Sequence, residues 1–458
     1  MKKLEKIIGF TIYIWMGIQI ALGVLWGVCN LTKVPAFEES RELLSMSKTL
    51  MADEYTGYLY LLMLRGCTMV ANLLGVSVGL FLYPVQLLIA YLCYEYFLHK
   101  VVFREQGQRL QARKRMPFYV GFIMTIPMVL QVHMAVLPYS LASSLLVALM
   151  AKMISLCVSE PGKKKADAIQ IAVLWILSAM SCPDYGWLCG FCVAGGMIWY
   201  VITHKRLCVK VLLGALVAIL CICGSNAFLQ TTGSNGKMQK SPESILLRSV
   251  VWPNFLKFSF FWPQEVRDNW TTEELLLLSR SPERVSEEFG PVMEQRLGVK
   301  EARRVYREMI KQTIKVNTRE VITGMGQEAA AYLCPPVSVK IQLQGVGDSY
   351  TGWNYSRMKD YAPQVTKYYV ECALSAWIYL LAAAGFLCIC RIRPKQWQPK
   401  GKKVRFYGTL VYAGSMILVV DVWYVLVSGN MQDYLKVPMI TALWAMGIIG
   451  VLRRSEGA

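Results

Sequence analysis

Charged side chains are scarce in this sequence. They make up 17% of its 458 residues, whereas hydrophobic residues make up 55%. A soluble domain usually carries about 25% charged residues. The charge disappears from long stretches and returns in short bursts, as expected where lipid surrounds parts of the chain. The sequence therefore predicts one membrane domain with an inserted polar region and argues against a string of soluble domains.

Cysteines suited to disulfide pairing are also scarce. Most of the 14 cysteines lie inside apolar runs, and only Cys334 lies well inside the long polar region. This distribution is not a disulfide framework. Cys189 and Cys192 have C-x-x-C spacing, but they fall in a predicted membrane helix where we expect no polar partners nearby. The pattern favours small apolar packing residues over a redox or metal site.

The formal net charge of +19 comes from short clusters of basic residues between apolar runs. Such clusters mark the cytoplasmic loops of membrane proteins. No stripe of basic and aromatic residues remains once they are set aside, so no nucleic-acid partner is predicted. The clusters lie within residues 2–6, 104–115, 163–165, 205–206, 391–405 and 453–454.

The apolar runs predict an all-α polytopic membrane protein with about ten transmembrane helices. When both termini are cytoplasmic, every basic loop falls on the cytoplasmic side. The first run is too long for a signal-peptide core and lacks a small-residue cleavage site, so we expect it to be retained. The predicted spans are residues 7–28, 80–98, 118–136, 139–157, 168–180, 187–202, 207–223, 372–390, 406–427 and 437–452.

The polar segments predict three domains. Residues 1–224 form an N-terminal membrane domain with a first external loop at 30–56 and an interfacial helix at 57–75, which Arg65 and Asn72 interrupt. Residues 225–368 form a mostly helical external insertion, and residues 369–458 return to the membrane. Within the insertion, Ser281 begins a helix and residues 299–331 have an amphipathic helical pattern.

The densest acidic cluster outside the insertion lies in the first external loop, directly after the first span. It contains Glu38, Glu39 and Glu42. A positioned carboxylate at a membrane face can act as a general base toward a hydroxyl group. The charge pattern by itself favours another interpretation, in which these residues form the solvated face of a short helix whose leucines face the membrane.

Other polar residues near or inside the spans have two interpretations each. Asp184 is suited to binding an acceptor or a metal, although a helix cap beside Pro183 is favoured. His133 is suited to ligand binding, but a lone histidine is more often a hydrogen-bonded packing residue. Asp421 lies inside an apolar span, where ionisable residues are usually functional. Trp353 and Tyr355 are suited to stacking on a sugar, but aromatic residues are common at any membrane surface.

Five segments occur in an order that resembles a known superfamily. They are Phe37-Glu-Glu-Ser-Arg-Glu-Leu, Asp53-Glu-Tyr-Thr-Gly-Tyr-Leu-Tyr, His133-Met-Ala-Val-Leu-Pro-Tyr-Ser-Leu-Ala, Pro183-Asp-Tyr and Tyr434-Leu-Lys-Val-Pro-Met. With about ten spans, this order resembles the GT-C superfamily of membrane glycosyltransferases. It is most similar to the bacterial branch with the RgtA/B/C/D-like and protein O-mannosyltransferase (PMT-like) families. The resemblance covers about residues 7–223 as a pattern of spans and loops.

The resemblance implies sugar transfer on the external face of a bacterial plasma membrane. The donor would be a polyprenyl-phosphate-linked sugar, a co-substrate, and the acceptor an envelope glycan, lipid or protein. A carboxylate in the first external loop would be the base, and Glu39 matches best, with Glu38 second. The superfamily usually has Asp there, so this chain departs from the pattern. The resemblance leaves a requirement for a divalent metal open.

The same resemblance implies a cation that stabilises the departing lipid phosphate. Lys436 at the outer end of the last span is the first candidate and Arg65 the second, although interfacial snorkelling explains Lys436 equally well. Asp184, His133, Trp353 and Tyr355 are the remaining candidates for substrate contacts. Two alternatives stay open: a transporter or flippase for an amphiphilic envelope precursor, and a non-catalytic scaffold. A transporter is expected to have inverted repeats and polar residues near the midplane.

Overall fold

A computed structural model gives the fold, and every regular element in the part that it describes is a helix. The described residues are 2–31, 38–50, 56–103, 106–158, 164–204, 209–232, 242–251, 262–271, 273–275, 288–333, 411–420, 422–423 and 438–456. The predicted span at 372–390 and the predicted helix start at Ser281 lie outside them.

The first ten helices follow one another with short connections. They are α1 (Lys2–Asn30), α2 (Glu38–Thr49), α3 (Tyr58–Leu74), α4 (Gly79–Phe97), α5 (Gln106–Met124), α6 (Pro127–His133), α7 (Tyr139–Val158), α8 (Lys164–Ser181), α9 (Pro183–His204) and α10 (Val209–Thr232). A π-helical turn, Leu98–Val102, extends α4.

Six further helices follow. They are α11 (Pro242–Leu246), which continues into a π-helical turn at Leu247–Val251, α12 (Gln264–Asn269), α13 (Gly290–Leu297), α14 (Val299–Leu333), α15 (Val411–Val420) and α16 (Pro438–Glu456).

Internal contacts divide the chain into two compact units. The first falls within Met1–Leu229, Pro335–Met416 and Leu435–Ala458, and the second within Gln230–Cys334 and Ile417–Tyr434.

Four helices among the described residues are long and apolar enough to cross a membrane. These candidate spans are Gly9–Val28, Gly79–Val102, Tyr139–Val158 and Pro183–His204. Shorter apolar helices occupy Tyr58–Leu74, Ala166–Ser181, Val211–Ile222, Val411–Val420 and Pro438–Gly447. The chain is therefore a helical protein with membrane-spanning character, as the scarcity of charge predicts.

Helix α7 is the centre of the first unit. Nearly all of its residues are buried, and it packs against α4, α8, α9 and α16. An apolar helix without a polar face is expected to be enclosed by other helices. By contrast, α1 packs on α5 and α6 and leaves Ile7, Phe10 and Val28 exposed, so it lies at the edge of this unit.

The predicted span at 118–136 is divided in the structure. Helix α5 ends at Met124, and α6 begins at Pro127, which occupies its first turn. Proline lacks the backbone N–H that a continuous helix needs, but it is favoured at the first helical position. Thr125 donates its hydroxyl to the Gly121 carbonyl at 2.8 Å. Two helices therefore replace the single predicted one.

The second unit has a core of its own. Trp262, Phe289, Met293, Val305 and Tyr306 are buried together, and α14 supplies two of them. The Tyr306 hydroxyl donates to the Gly290 carbonyl at 3.2 Å, which ties α14 to α13. The amphipathic helix predicted at 299–331 is confirmed, because the apolar residues of that pattern that lie in this core are on the buried face of α14.

An ion-pair network lies on the surface of this unit. The Arg304 guanidinium contacts the carboxylates of Glu265 and Glu301, both at 2.6 Å. A backbone hydrogen bond, with help from the Arg304 side chain, lowers the pKa of Glu265 below its ordinary value. The network therefore holds at neutral pH and weakens as the pH falls through the carboxyl range.

The backbone of Gly57, immediately before α3, passes directly against the end of α8. Its amide donates to the Ser181 carbonyl at 3.1 Å, and a Cβ at this position would overlap the Met180 carbonyl group. Only glycine permits this approach, because the opposing atoms belong to backbone and cannot rotate away. Gly57 therefore fixes where α3 begins.

We predict that Gly57→Ala lowers the unfolding free energy by about 2–3 kcal/mol through this overlap. Thermal unfolding of the detergent-purified protein measures the change. Gly66→Ala is the matched control, since Gly66 is interior to the same helix and a Cβ there meets nothing within 4 Å. We expect the control to be neutral or slightly stabilising. Equal melting temperatures for the two variants would contradict the close approach.

Candidate functional site

His133 lies at the centre of a buried polar cluster in the first unit. Its side chain is fully buried at the end of α6. Nε2 lies 3.1 Å from the Tyr94 hydroxyl, and Nδ1 lies 2.7 Å from the Ser140 hydroxyl. A neutral imidazole has one donor and one acceptor nitrogen, so both hydroxyls are matched. The histidine thus links α4, α6 and α7 through side-chain hydrogen bonds.

Gln86 joins the same cluster to α3. One amide orientation satisfies all its neighbours: the nitrogen donates to the carbonyls of His133 at 2.8 Å and Ala135 at 3.1 Å, and the oxygen accepts from the Tyr60 hydroxyl at 3.2 Å. These carbonyls belong to the end of α6 and the turn after it, where helical partners are missing. Gln86 and Tyr60 therefore anchor that turn.

Backbone and serine contacts close the cluster into a loop of hydrogen bonds. The Ser178 hydroxyl donates to the Ala142 carbonyl at 3.1 Å, which joins the end of α8 to the start of α7. The Gly57 amide then joins α3 to the Ser181 carbonyl. We call this set of contacts through α3, α4, α6, α7 and α8 the polar ring.

Asp184 lies beside the polar ring, in the first turn of α9 after Pro183. Its side chain is 3% exposed. A carboxylate in the first turn of a helix interacts favourably with the unpaired backbone N–H groups there. Cys182 is the single residue between α8 and α9, so Asp184 follows closely on the Ser181 carbonyl that Gly57 binds. The structure therefore brings Asp184 and the end of the first predicted loop to the same part of the bundle.

The acidic cluster of the first loop forms a helix. Helix α2 begins at Glu38 and ends at Thr49, because the next residue, Leu50, has a φ of 55° and leaves the helical conformation. Glu42 is exposed, whereas Leu43 and Ser47, one turn apart, are buried. The exposure of Glu42 agrees with the interpretation from charge, whereas Leu43 packs inside the protein instead of facing the membrane. The side chains of Glu38 and Glu39 lie outside the described part.

The register of α2 separates these two positions. Residues four apart lie on the same side of a helix. Position 38 is one turn before the exposed Glu42, and position 39 is one turn before the buried Leu43. The backbone therefore places position 39 on the side of α2 that packs against the protein.

The other predicted site residues have no common location in the described structure. Arg65 is exposed in the middle of α3, away from the polar ring at the start of that helix. Lys436, Trp353, Tyr355 and Asp421 lie outside the described residues.

The described residues contain no group of three or more His, Cys, Asp or Glu side chains that could hold a metal ion. His133 uses both ring nitrogens for hydroxyl partners, so it fits the packing interpretation.

Sequence reasoning missed an ion pair between α7 and α8. The Lys152 ammonium lies 2.5 Å from the Asp167 carboxylate, and Lys152 is nearly buried. The sequence contains a signal for such a pair, because Lys152 is a lone cation inside an otherwise apolar run. Lys152 lies six residues before the end of α7 at Val158, or about 9 Å along the axis. In a hydrocarbon core of about 30 Å, the Lys152 backbone is therefore about 6 Å from the midplane, and its side chain reaches Asp167 in the first turn of α8.

The expectation that Cys189 and Cys192 lack polar partners was wrong for Cys192. Its thiol lies 2.9 Å from the Tyr412 hydroxyl, which also donates to the Cys192 carbonyl at 2.8 Å. Tyr412 comes from α15, 220 positions along the chain, so no local spacing could reveal the pairing. Both cysteines are buried free thiols, in keeping with the packing role.

In comparisons with known proteins, no protein-family model, curated protein or solved structure matches this chain.

We predict that the two hydroxyls on His133 are energetically coupled. Tyr94→Phe and Ser140→Ala should each lower the unfolding free energy by about 1 kcal/mol, because each leaves one imidazole nitrogen unpaired. The double variant should deviate from additivity by about 0.5 kcal/mol or more, since both bonds polarise the same ring. Equilibrium unfolding in detergent measures the cycle.

Thr68→Val is the control for deleting a hydroxyl. Thr68 donates only to the Leu64 carbonyl of its own helix, outside the polar ring. We expect a change close to zero, because such bonds add little to helix stability. Strictly additive effects at Tyr94 and Ser140 would contradict the coupling.

Proposed function

We propose that this protein is a membrane glycosyltransferase that moves a sugar from a polyprenyl-phosphate donor to an envelope acceptor on the external face. The proposal includes about ten spans, an extracytoplasmic insertion and cytoplasmic termini. The observation that carries it is the placement of the acidic helix α2. It directly follows the first candidate span, and the chain just after it is fixed at Gly57 against the α8–α9 turn.

The register of α2 supports Glu39 as the base in preference to Glu38. A general base needs a fixed position beside its substrate, and a helix side that packs on the protein supplies more constraint than a solvated side. Position 39 is on the packed side, one turn before Leu43. Asp184, held near the Gly57 contact, is the residue that we assign to the acceptor.

The proposed chemistry has one displacement step. The Glu39 carboxylate takes the proton of an acceptor hydroxyl as the oxygen forms a bond to the anomeric carbon. The bond from that carbon to the phosphate oxygen breaks, and the lipid phosphate leaves with the electron pair. A cation lowers the energy of the charge that develops on the phosphate, and Lys436 and Arg65 remain the two candidates.

The exposed apolar side of α3 supports an interfacial position for this helix. Leu62, Met69 and Leu73 are exposed, whereas Tyr60 and Leu64 are buried. The helix is apolar but shorter than the four candidate spans. A helix with one exposed apolar side is suited to the membrane surface.

The transporter alternative gains no support from the ion pair of Lys152 and Asp167. A transport pathway is expected to concentrate its polar groups near the midplane. The carboxylate of this pair lies in the first turn of α8, and the polar ring lies near the opposite end of α7, at Ser140 and Ala142.

We predict that Glu39→Gln abolishes donor turnover, with a loss of about 100-fold or more, because the amide cannot take a proton. The assay reconstitutes the purified protein with radiolabelled polyprenyl-phosphate sugars and follows release of the lipid phosphate. Glu38→Gln is the matched control one position earlier, and we expect most activity to remain. Donor binding by both variants should equal that of wild type. Full activity in both variants, or no turnover by wild type with any donor, would refute the assignment.

A second experiment tests the topology separately from the chemistry. Alkaline phosphatase fused after Ser241 should be active, because that region is predicted to be external. The same reporter fused after Lys163 or at the C-terminus should be inactive, and a fluorescent protein should give the reverse pattern. An active phosphatase at the C-terminus would contradict the predicted orientation.

A further inference from the structure

Helix α14 in the second unit carries aliphatic side chains past the edge of the core of that unit. Val305, Tyr306 and Met309 face the core and are fully buried. Ile310 belongs to the same core and is 8% exposed, whereas Ile314, one turn after it, is 40% exposed. The helix therefore presents an aliphatic second side that begins at the edge of the core and continues beyond it.

This second side forms one wall of an open groove between α11 and α14. The groove has a volume of about 610 Å³, and Leu246, Ile310 and Ile314 provide its aliphatic lining. Arg307, Lys311, Lys315 and Glu243 complete the lining. An aliphatic groove with polar groups at its edge is suited to an apolar ligand that has a charged end.

The charge at the edge of the groove is cationic. Arg307, Lys311 and Lys315 follow at four-residue intervals, so they form a row along α14 with Cβ atoms about 5–6 Å apart. Arg307 lies 3.5 Å from the Glu243 carboxylate, which partly neutralises it. Lys311 and Lys315 are exposed, and neither forms an ion pair with another described residue. Two neighbouring ammonium groups thus remain for an anion.

We propose that this groove binds an anionic phospholipid of the surrounding membrane, with an acyl chain along Leu246, Ile310 and Ile314 and the phosphate at Lys311 and Lys315. Lysine and phosphate are complementary in charge, and lysines beside an aliphatic surface are typical of anionic lipid sites. An extended peptide is a poorer fit, since both walls are helices whose backbone groups are already paired. Four helices among the described residues are long and apolar enough to cross a membrane, so phospholipid is available to the chain.

This inference is independent of sugar transfer. It assigns a lipid contact to the second unit, whereas the proposed reaction uses α2 and the α8–α9 turn.

The test uses the full chain in lipid nanodiscs that contain a tracer phospholipid with a photoactivatable group in its acyl chain. One arm uses phosphatidylglycerol, which is anionic, and the other uses zwitterionic phosphatidylcholine. Mass spectrometry locates the labelled peptides. We expect phosphatidylglycerol to label the peptides that contain Leu246, Ile310 and Ile314 more strongly than phosphatidylcholine does.

Two variants separate the head-group contact from the acyl contact. Lys311→Gln/Lys315→Gln should lower groove labelling by phosphatidylglycerol about tenfold and leave that by phosphatidylcholine nearly unchanged. Ile314→Ser should lower labelling by both lipids. The control Arg267→Gln/Lys300→Gln removes the same charge from exposed positions of α12 and α14 outside the groove, and should label as wild type does.

Four results would overturn the proposal. Equal labelling by the two lipids, or an equal loss in the control, would show that the lysines do not select a phosphate. Absence of label from the groove would leave a protein partner as its occupant. Displacement of the label by polyprenyl phosphate, but not by excess unlabelled phosphatidylglycerol, would assign the site to a lipid-linked sugar donor instead.

Discussion

The first unit depends on one constraint: polar side chains inside an apolar helical bundle must find their partners within the protein. In hydrocarbon, an unpaired polar group costs several kcal/mol, because no water is present to replace a lost bond. The polar ring meets this requirement at the places where helices end. His133, Gln86 and Tyr60 satisfy the end of α6, and the Gly57 amide satisfies the end of α8. Five helices are thereby held in register at their ends.

The same constraint makes the polar ring a part of the helical framework. His133 is enclosed and has both nitrogens engaged, so it offers no atom to a substrate. Reactive groups in this architecture are expected at the rim, where the chain leaves the bundle. The acidic helix α2 has such a place in the sequence, between α1 and the segment that Gly57 fixes.

Much of the helical framework was predictable from the sequence, because it rests on local signals. The apolar runs predicted α4, α7 and α9 to within a few residues, and the period of Val305 and Met309 predicted α14. Val316, the next apolar residue in that pattern, is 47% exposed, so periodicity did not reveal where the core ends. Pro127 is a local signal for the division between α5 and α6. The prediction of one span at 118–136 rested on apolar content alone and therefore missed this division.

The contacts that assemble the site were not predictable from local patterns. His133 was recognised as a polar residue near the end of a helix, but its partners Tyr94 and Ser140 come from two other helices. Tyr60 with Gln86, and Tyr412 with Cys192, are likewise pairs of distant residues whose spacing has no period. Gly57 has no distinguishing signal in the sequence either, because its close contact with the Met180 backbone is visible only in the structure.

The enclosure of α7 has a consequence for how the protein is made in the cell. This helix has Ser143, Ser144 and Lys152 among its apolar residues, and all three are buried in the finished bundle. Helices α8 and α9, which cover it, are translated later, so Lys152 leaves the ribosome before its partner Asp167 does. The nascent α7 must therefore wait beside the insertion machinery or an earlier helix such as α4, and a chain cut short before His204 leaves these three polar side chains without their permanent neighbours.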